Sequence, residues 1–160
     1  MKVGIYAVGR MKAGPEKELA GRYLDRFGKA GPALGFELLD VHEIAESRAQ
    51  DAAERRRDEA DRLRAALPAG CALVALDERG KNIGSQDLAS RLALLRDNGR
   101  KAVGLLIGGP DGLEASLRAE ADLVLSFGAL TWPHQLVRIM LAEQLYRSAT
   151  ILSGHPYHRA

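Results

Sequence analysis

Two short apolar runs, each cut off by a glycine-containing loop, constrain the fold of this chain more than any other feature. Ala102-Val103-Gly104-Leu105-Leu106-Ile107 stops at Gly108-Gly109-Pro110-Asp111-Gly112, and Leu123-Val124-Leu125 stops at Ser126-Phe127-Gly128-Ala129-Leu130-Thr131-Trp132-Pro133-His134. Runs this short and this uniformly apolar suit strands covered on both faces, and the helical patterns that follow them suit a parallel sheet. The two loops are then expected at the carboxyl ends of neighbouring strands, where open α/β sheets bind ligands.

The rest of the chain repeats the alternation. Val3 to Val8 reads as a strand, and residues 9–14, with Arg10 and Lys12, as a basic turn. Pro15 opens a helix, since its missing N–H would be unpaired there anyway, and Leu19, Tyr23, Leu24 and Phe27 recur at helical spacing before Gly28, Gly31 and Pro32. Residues 36–42 are a predicted strand and 47–67 a predicted helix; a third strand at 71–76 gives way to a polar loop at 77–81. Ser85 is the expected N-cap of a helix ending near Asn98, with Leu88, Leu92 and Leu95 inward. From His134 to about Thr150 apolar residues go nearly all round the helix. Such a helix needs more than one surface to bury itself, and a homodimer interface is one solution. The pattern predicts one α/β domain over residues 1–160, a mostly parallel sheet flanked by helices.

Charge and composition exclude little. A net charge of +2 neither demands nor forbids a nucleic-acid partner, because phosphate binding depends on where the basic residues lie. Arg55-Arg56-Arg57 is flanked by carboxylates at helical distances and reads as a solvated, salt-bridged face rather than an RNA contact. Cys71 has no partner for a disulfide and reads as a buried thiol in a reducing compartment. No window approaches the roughly 18 apolar residues of a membrane span, and the N-terminal run is a strand rather than a signal peptide. A cytoplasmic protein with no membrane partner is expected.

The loop at 108–112 is neither a P-loop nor a G-x-G-x-x-G turn, so phosphate transfer and dinucleotide binding are poorly supported. Its glycines suit close approach of a ligand to the backbone. His155 and His158 are spaced as in some metal sites, but Pro156 intervenes and no cysteine or carboxylate set accompanies them, so no metal is expected. Tyr157, His158 and Arg159 together offer a ring to stack on a base, an imidazole for proton transfer and a guanidinium for phosphate. They read best as RNA contacts.

Four segments, 105–112 (LLIGGPDG), 127–138 (FGALTWPHQLVR), 142–147 (AEQLYR) and 155–159 (HPYHR), closely resemble the RlmH family. These are bacterial 23S rRNA pseudouridine N3-methyltransferases of the SPOUT class. The resemblance implies a C-terminal segment threaded into a trefoil knot, a homodimer with sites near its interface, S-adenosylmethionine as methyl donor, and 23S rRNA within the ribosome as substrate. It also implies that Leu76, Gly108, Gly109, Phe127, Gly128, Ala129, Leu130, Thr131 and Trp132 line the donor pocket. His158 is then the candidate to assist loss of the N3 proton, imidazole being the side chain that titrates near neutral pH. Arg147 and Arg159 would position phosphate or stabilise the anionic base, Tyr157 would stack on a base, and Glu143 would orient Arg147. A non-catalytic ribosome-associated RNA-binding module is the alternative, and a small-molecule enzyme on the same sheet is a third reading that leaves the tail unexplained.

Overall fold

Strands and helices alternate as the sequence predicts. The computed structural model describes residues 1–159; Ala160, the last residue of the predicted domain, lies outside them. The chain runs β1 (Lys2–Val8), α1 (Pro15–Ala30), a 3-10 turn (Pro32–Leu34), β2 (Glu37–Leu38), β3 (His42–Ile44) and α2 (Ala52–Ala66). It continues through β4 (Ala72–Lys81), α3 (Ser85–Asp97), β5 (Ala102–Ile107), α4 (Ala115–Ala119), β6 (Leu123–Leu125) and α5 (His134–Ser153). The sheet has the order β2-β1-β5-β4-β6, with β3 also pairing β1, and its pairings are parallel.

Strand side chains alternate between two apolar layers. Val3, Ile5, Val103, Leu105, Ile107, Val74 and Leu125 pack with Phe27 of α1, Leu88 and Leu92 of α3, and Leu141, Leu145 and Ala149 of α5. On the other face Tyr6, Val8, Ala75 and Leu106 meet Ala60 and Leu63 of α2 and Leu117 of α4. Burying each such leucine contributes about 1.5–3 kcal/mol, and the parallel pairing places the loops that follow the strands at one edge of the sheet.

The structure differs from the sequence reading in several places. The two glycine loops do not leave neighbouring strands, because β4 lies between β5 and β6. Parallel pairing needs a crossover, and α4 with its flanking turns carries the chain past β4 to the far edge. The predicted 36–42 strand is broken: Lys2 and Val3 pair Glu37 and Leu38, whereas Tyr6 pairs His42, so one extra residue is inserted between the two registers, as in a β-bulge. The predicted 47–67 helix begins only at Ala52, where the Asp51 carboxylate caps it by accepting from Glu54 N–H at 2.8 Å. Gly84, not Ser85, is the N-cap of α3, and Leu19 stands 38% exposed on the outer side of α1.

The predicted polar loop at 77–81 is instead the second half of β4. No apolar alternation marks it, because it runs past the end of the core to the rim. Its pairing with β6 shifts register between Leu76 and Lys81, and Ser126 N–H donates to the Lys81 carbonyl at 3.0 Å. Gly80 makes this possible: a Cβ there would stand 2.7 Å from the backbone of Val124. Gly80→Ala is therefore expected to lower stability by about 1–3 kcal/mol, read as a fall in thermal midpoint. Gly21→Ala, in open space within α1, is the control and should not lower it.

Candidate active site

A cavity of about 370 Å³ opens at the carboxyl ends of β4, β5 and β6, against the first turn of α5. Of the residues that the resemblance places at the donor pocket, Leu76, Gly108, Gly109, Phe127, Gly128, Leu130, Thr131 and Trp132 line this cavity; Ala129 is not among the lining residues. Asp77, Glu78 and Arg79 also line it. They escaped the sequence reading because the five residues 77–81 carry no apolar alternation and read as a polar loop.

The glycines are required sterically. A Cβ on Gly108 would come within 2.8 Å of the Gly112 carbonyl carbon and of Leu113 N, and one on Gly109 within 2.9 Å of Val8 Cγ1. The turn closes with Gly112 N–H donating to the Gly109 carbonyl at 2.9 Å, at a Gly112 φ of +79° that favours glycine. In the second loop, buried Ser126 accepts from Gly128 N–H at 3.1 Å, and its hydroxyl lies 3.0 Å from the Gly128 carbonyl and 3.2 Å from that of Glu78. One hydroxyl thus ties the second loop to the β4 extension.

The rim is charged and internally paired. Asp77, with a side chain only 5% exposed, accepts from Arg79 Nε at 3.0 Å and faces Arg118 Nη1 at 3.2 Å. Burial alone would push its carboxyl up, and the Arg79 bonds with the Arg118 charge outweigh that and hold it below the usual carboxylate range. Arg118 also donates to the Leu113 carbonyl at 2.6 Å, so this pair fastens the end of the first loop to β4. Cys71 lies away from the cavity lining, and burial pushes its thiol up.

The four candidate catalytic side chains come together elsewhere, farther along α5. Arg147 grips Glu143 through Nε at 2.9 Å and Nη2 at 2.6 Å. Gly154, in the left-handed conformation, ends the helix and turns the tail back over it. Tyr157 then donates its hydroxyl to Glu143 at 2.9 Å and packs its ring 4.8 Å from that of Tyr146, with the Arg147 guanidinium 4.9 Å from its centre. Burial, with bonds to Tyr23 and Glu143, pushes the Tyr157 hydroxyl well above its ordinary value, so it stays a proton donor. His158 Nδ1 lies 3.4 Å from Arg147 Nη1, and its buried Nε2 has no partner among the described residues. Arg159 is exposed.

The expected tail and pocket residues therefore form two clusters. Glu143 and Arg147 lie six to ten residues along α5 from Val137, the last residue of the helix that lines the cavity, which is about 9–15 Å of helix. One chain does not bring its own tail to its own cavity. The helix between them is largely covered within the chain, with Leu141, Ala142, Leu145 and Ala149 buried against α1, α3 and the sheet. Val137, Ile139 and Met140 on the same helix are only partly covered. Leu130, Trp132 and Leu136 remain exposed beside the cavity. No helix among the described residues is long and apolar enough to cross a membrane, and no group of three metal-ligating side chains occurs among them.

Relatives of this chain span its whole length. Proteins described as "Ribosomal RNA large subunit methyltransferase H" are 67% identical in Mesorhizobium japonicum, 62% in Rhizobium meliloti and 59% in Brucella anthropi, each over 160 residues and all of both chains. A family model described as "Predicted SPOUT methyltransferase" matches residues 1–158, taking in both glycine loops, α5 and the tail. With a parallel sheet, a cavity at its carboxyl edge and that match, the chain belongs to the SPOUT methyltransferase family.

Proposed function

We propose that this protein transfers a methyl group from S-adenosylmethionine to N3 of a pseudouridine in 23S rRNA, acting on assembled ribosomes as a homodimer. The cavity framed by the two glycine loops carries this reading. Its volume falls within the roughly 300–1,000 Å³ of small-molecule clefts, and its mixture of apolar wall and charged rim suits a ligand with an aromatic ring at one end and charges at the other. The relatives' descriptions supply the large-subunit rRNA, and the resemblance of the four segments to the RlmH family supplies the pseudouridine and its N3.

The donor, when bound, supplies an already activated methyl group, so the protein has to orient, desolvate and deprotonate. Leu76, Phe127, Leu130 and Trp132 give the cavity an apolar wall, and Gly108, Gly109, Gly112 and Gly128 leave stretches of its lining backbone without a Cβ. His158 takes the N3 proton. Arg147, held by Glu143, stabilises the negative charge left on the ring, while Tyr157 and Arg159 hold the RNA. The roughly 9–15 Å of helix from Val137 at the cavity to Glu143 and Arg147 under the tail supports completion of each site by the tail of a second copy, with Leu130, Trp132 and Leu136 as apolar surface for that contact. The trefoil knot of the family would involve the segment from β5 to α5.

Labelled methyl transfer from S-adenosylmethionine to ribosomes lacking the modification tests the proposal, with free 23S rRNA in parallel. Label in the large-subunit RNA of whole ribosomes, mapped to N3 of a pseudouridine, is the expected result. A modest net charge gives weak binding to naked RNA, so free RNA should take up little. A folded protein that binds ribosomes equally with and without the donor and transfers no label would establish the binding-module reading instead.

A further inference from the structure

The 108–112 loop is gripped from outside the cavity as well as by its own turn. Arg55, on the first turn of α2, donates Nε to Asp111 Oδ2 at 2.6 Å and Nη2 to Asp111 Oδ1 at 3.2 Å. This is the planar two-point fork that arginine makes with a carboxylate and lysine cannot. The remaining nitrogen, Nη1, donates to the carbonyls of Ala49 at 3.1 Å and Gln50 at 2.9 Å. Both side chains are partly buried, 29% exposed for Arg55 and 25% for Asp111, so solvent screens the contact less than it does a fully exposed pair. The Arg55 bonds also hold the Asp111 carboxyl below its ordinary range.

Asp111 lines the cavity and Arg55 does not. Four residues on, buried Glu59 accepts from Ser47 N–H at 2.8 Å, and its other oxygen stands 3.2 Å from where a Gly109 Cβ would be. The tip of the loop and its base are thus both seated on α2. An unsupported Gly-Gly-Pro-Asp-Gly turn would be ordered only as the ligand arrives, and that entropy would be subtracted from affinity. A turn already fixed loses nothing on binding. The effect falls on donor affinity and not on the chemical step, since neither Arg55 nor Asp111 reaches the tail where the proton moves.

We infer that Arg55 is a positioning residue for the methyl-donor loop: through Asp111 it holds the 108–112 turn in its ligand-binding shape. The inference rests on the reading of the cavity as the S-adenosylmethionine site. It also replaces the sequence reading of Arg55 as one charge on a solvated face; Arg57, in the same triplet, is exposed.

The test is calorimetric titration of the full-length protein with S-adenosylmethionine and S-adenosylhomocysteine, with steady-state methyl transfer to ribosomes and ligand-free thermal unfolding alongside. Arg55→Ala is expected to raise the donor Kd and KM by roughly tenfold to thirtyfold while kcat at saturating donor stays within about twofold. Arg55→Lys keeps the charge but not the fork and should recover only part of the loss. Asp111→Asn, at the loop tip, should weaken the donor in the same direction and serves if Arg55→Ala does not fold. In the Asp111→Asn background, adding Arg55→Ala should cost less than about twofold more. A purely structural arginine would lower the thermal midpoint without separating KM from kcat, and that result overturns the inference. So does a full-sized Arg55→Ala effect when Asp111 is already asparagine. Absence of donor binding by the unsubstituted protein would overturn the reading of the cavity itself, and is told apart because the parent, not the variant, then gives no heat.

Discussion

His158→Ala is expected to lower kcat by roughly two to four orders of magnitude while donor Kd stays within about twofold. The imidazole is held by the tail against Arg147, 3.4 Å from its guanidinium, and is remote from the cavity of its own chain. Loss of the ring therefore removes a proton acceptor without touching the donor loops. A variant that loses kcat and donor affinity equally would remove His158 from the role of base. The same substitution examines the dimer. Mixed with a variant whose donor cavity is disabled, His158→Ala chains form hybrid dimers in which one site keeps an intact cavity and an intact tail from different chains. Reassociation at equal concentrations should restore about a quarter of the parent activity, since about half of the dimers are hybrid with one of two sites complete. If tail and cavity of one chain worked together, mixing would restore nothing.

Gly108→Ala supplies that disabled cavity and has the second large effect. The added methyl would stand 2.8 Å from both the Gly112 carbonyl carbon and Leu113 N, which are backbone atoms and cannot rotate away. The turn has to open, and its closing bond from Gly112 N–H to Gly109 has to lengthen or break. Donor affinity should fall by roughly a hundredfold or more, the consequence of remodelling a preformed wall of the site. Calorimetry with S-adenosylmethionine measures this, and far-ultraviolet circular dichroism shows whether the sheet survives. Donor binding within threefold of the parent would mean that the loop is not part of the donor site. Gly112 is a useful contrast: nothing crowds a Cβ there, and any loss on substitution comes from its φ of +79° alone.

Parts of the site were legible because their chemistry is local. Glycine loops after apolar strands announce themselves by composition; the nine individual pocket residues came from the family resemblance, and all but Ala129 of them line the cavity. The pairing of Glu143 with Arg147 follows from helical spacing, and the structure adds that the same carboxylate takes the Tyr157 hydroxyl. Asp77, Glu78 and Arg79 were illegible for a physical reason: strand residues that leave the core lose the apolar alternation by which strands are recognised. Arg55 was misread as a solvated charge because its partner, Asp111, is 56 residues away. Spacing along a helix reveals only partners on that helix.

The sequence by itself determined the order of strands and helices, the parallel sense of the sheet and the two loops that bear the cavity, because hydrophobic periodicity and glycine are properties of neighbouring residues. Only the tertiary structure decided that β4 lies between the two loop-bearing strands, that Leu141, Leu145 and Ala149 of α5 pack in the layer shared with α1, α3 and the sheet, and that the tail folds onto the middle of α5 rather than into the cavity at its first turn. Those facts depend on contacts between segments far apart in the chain. Packing selects among such contacts, and no local pattern records the choice.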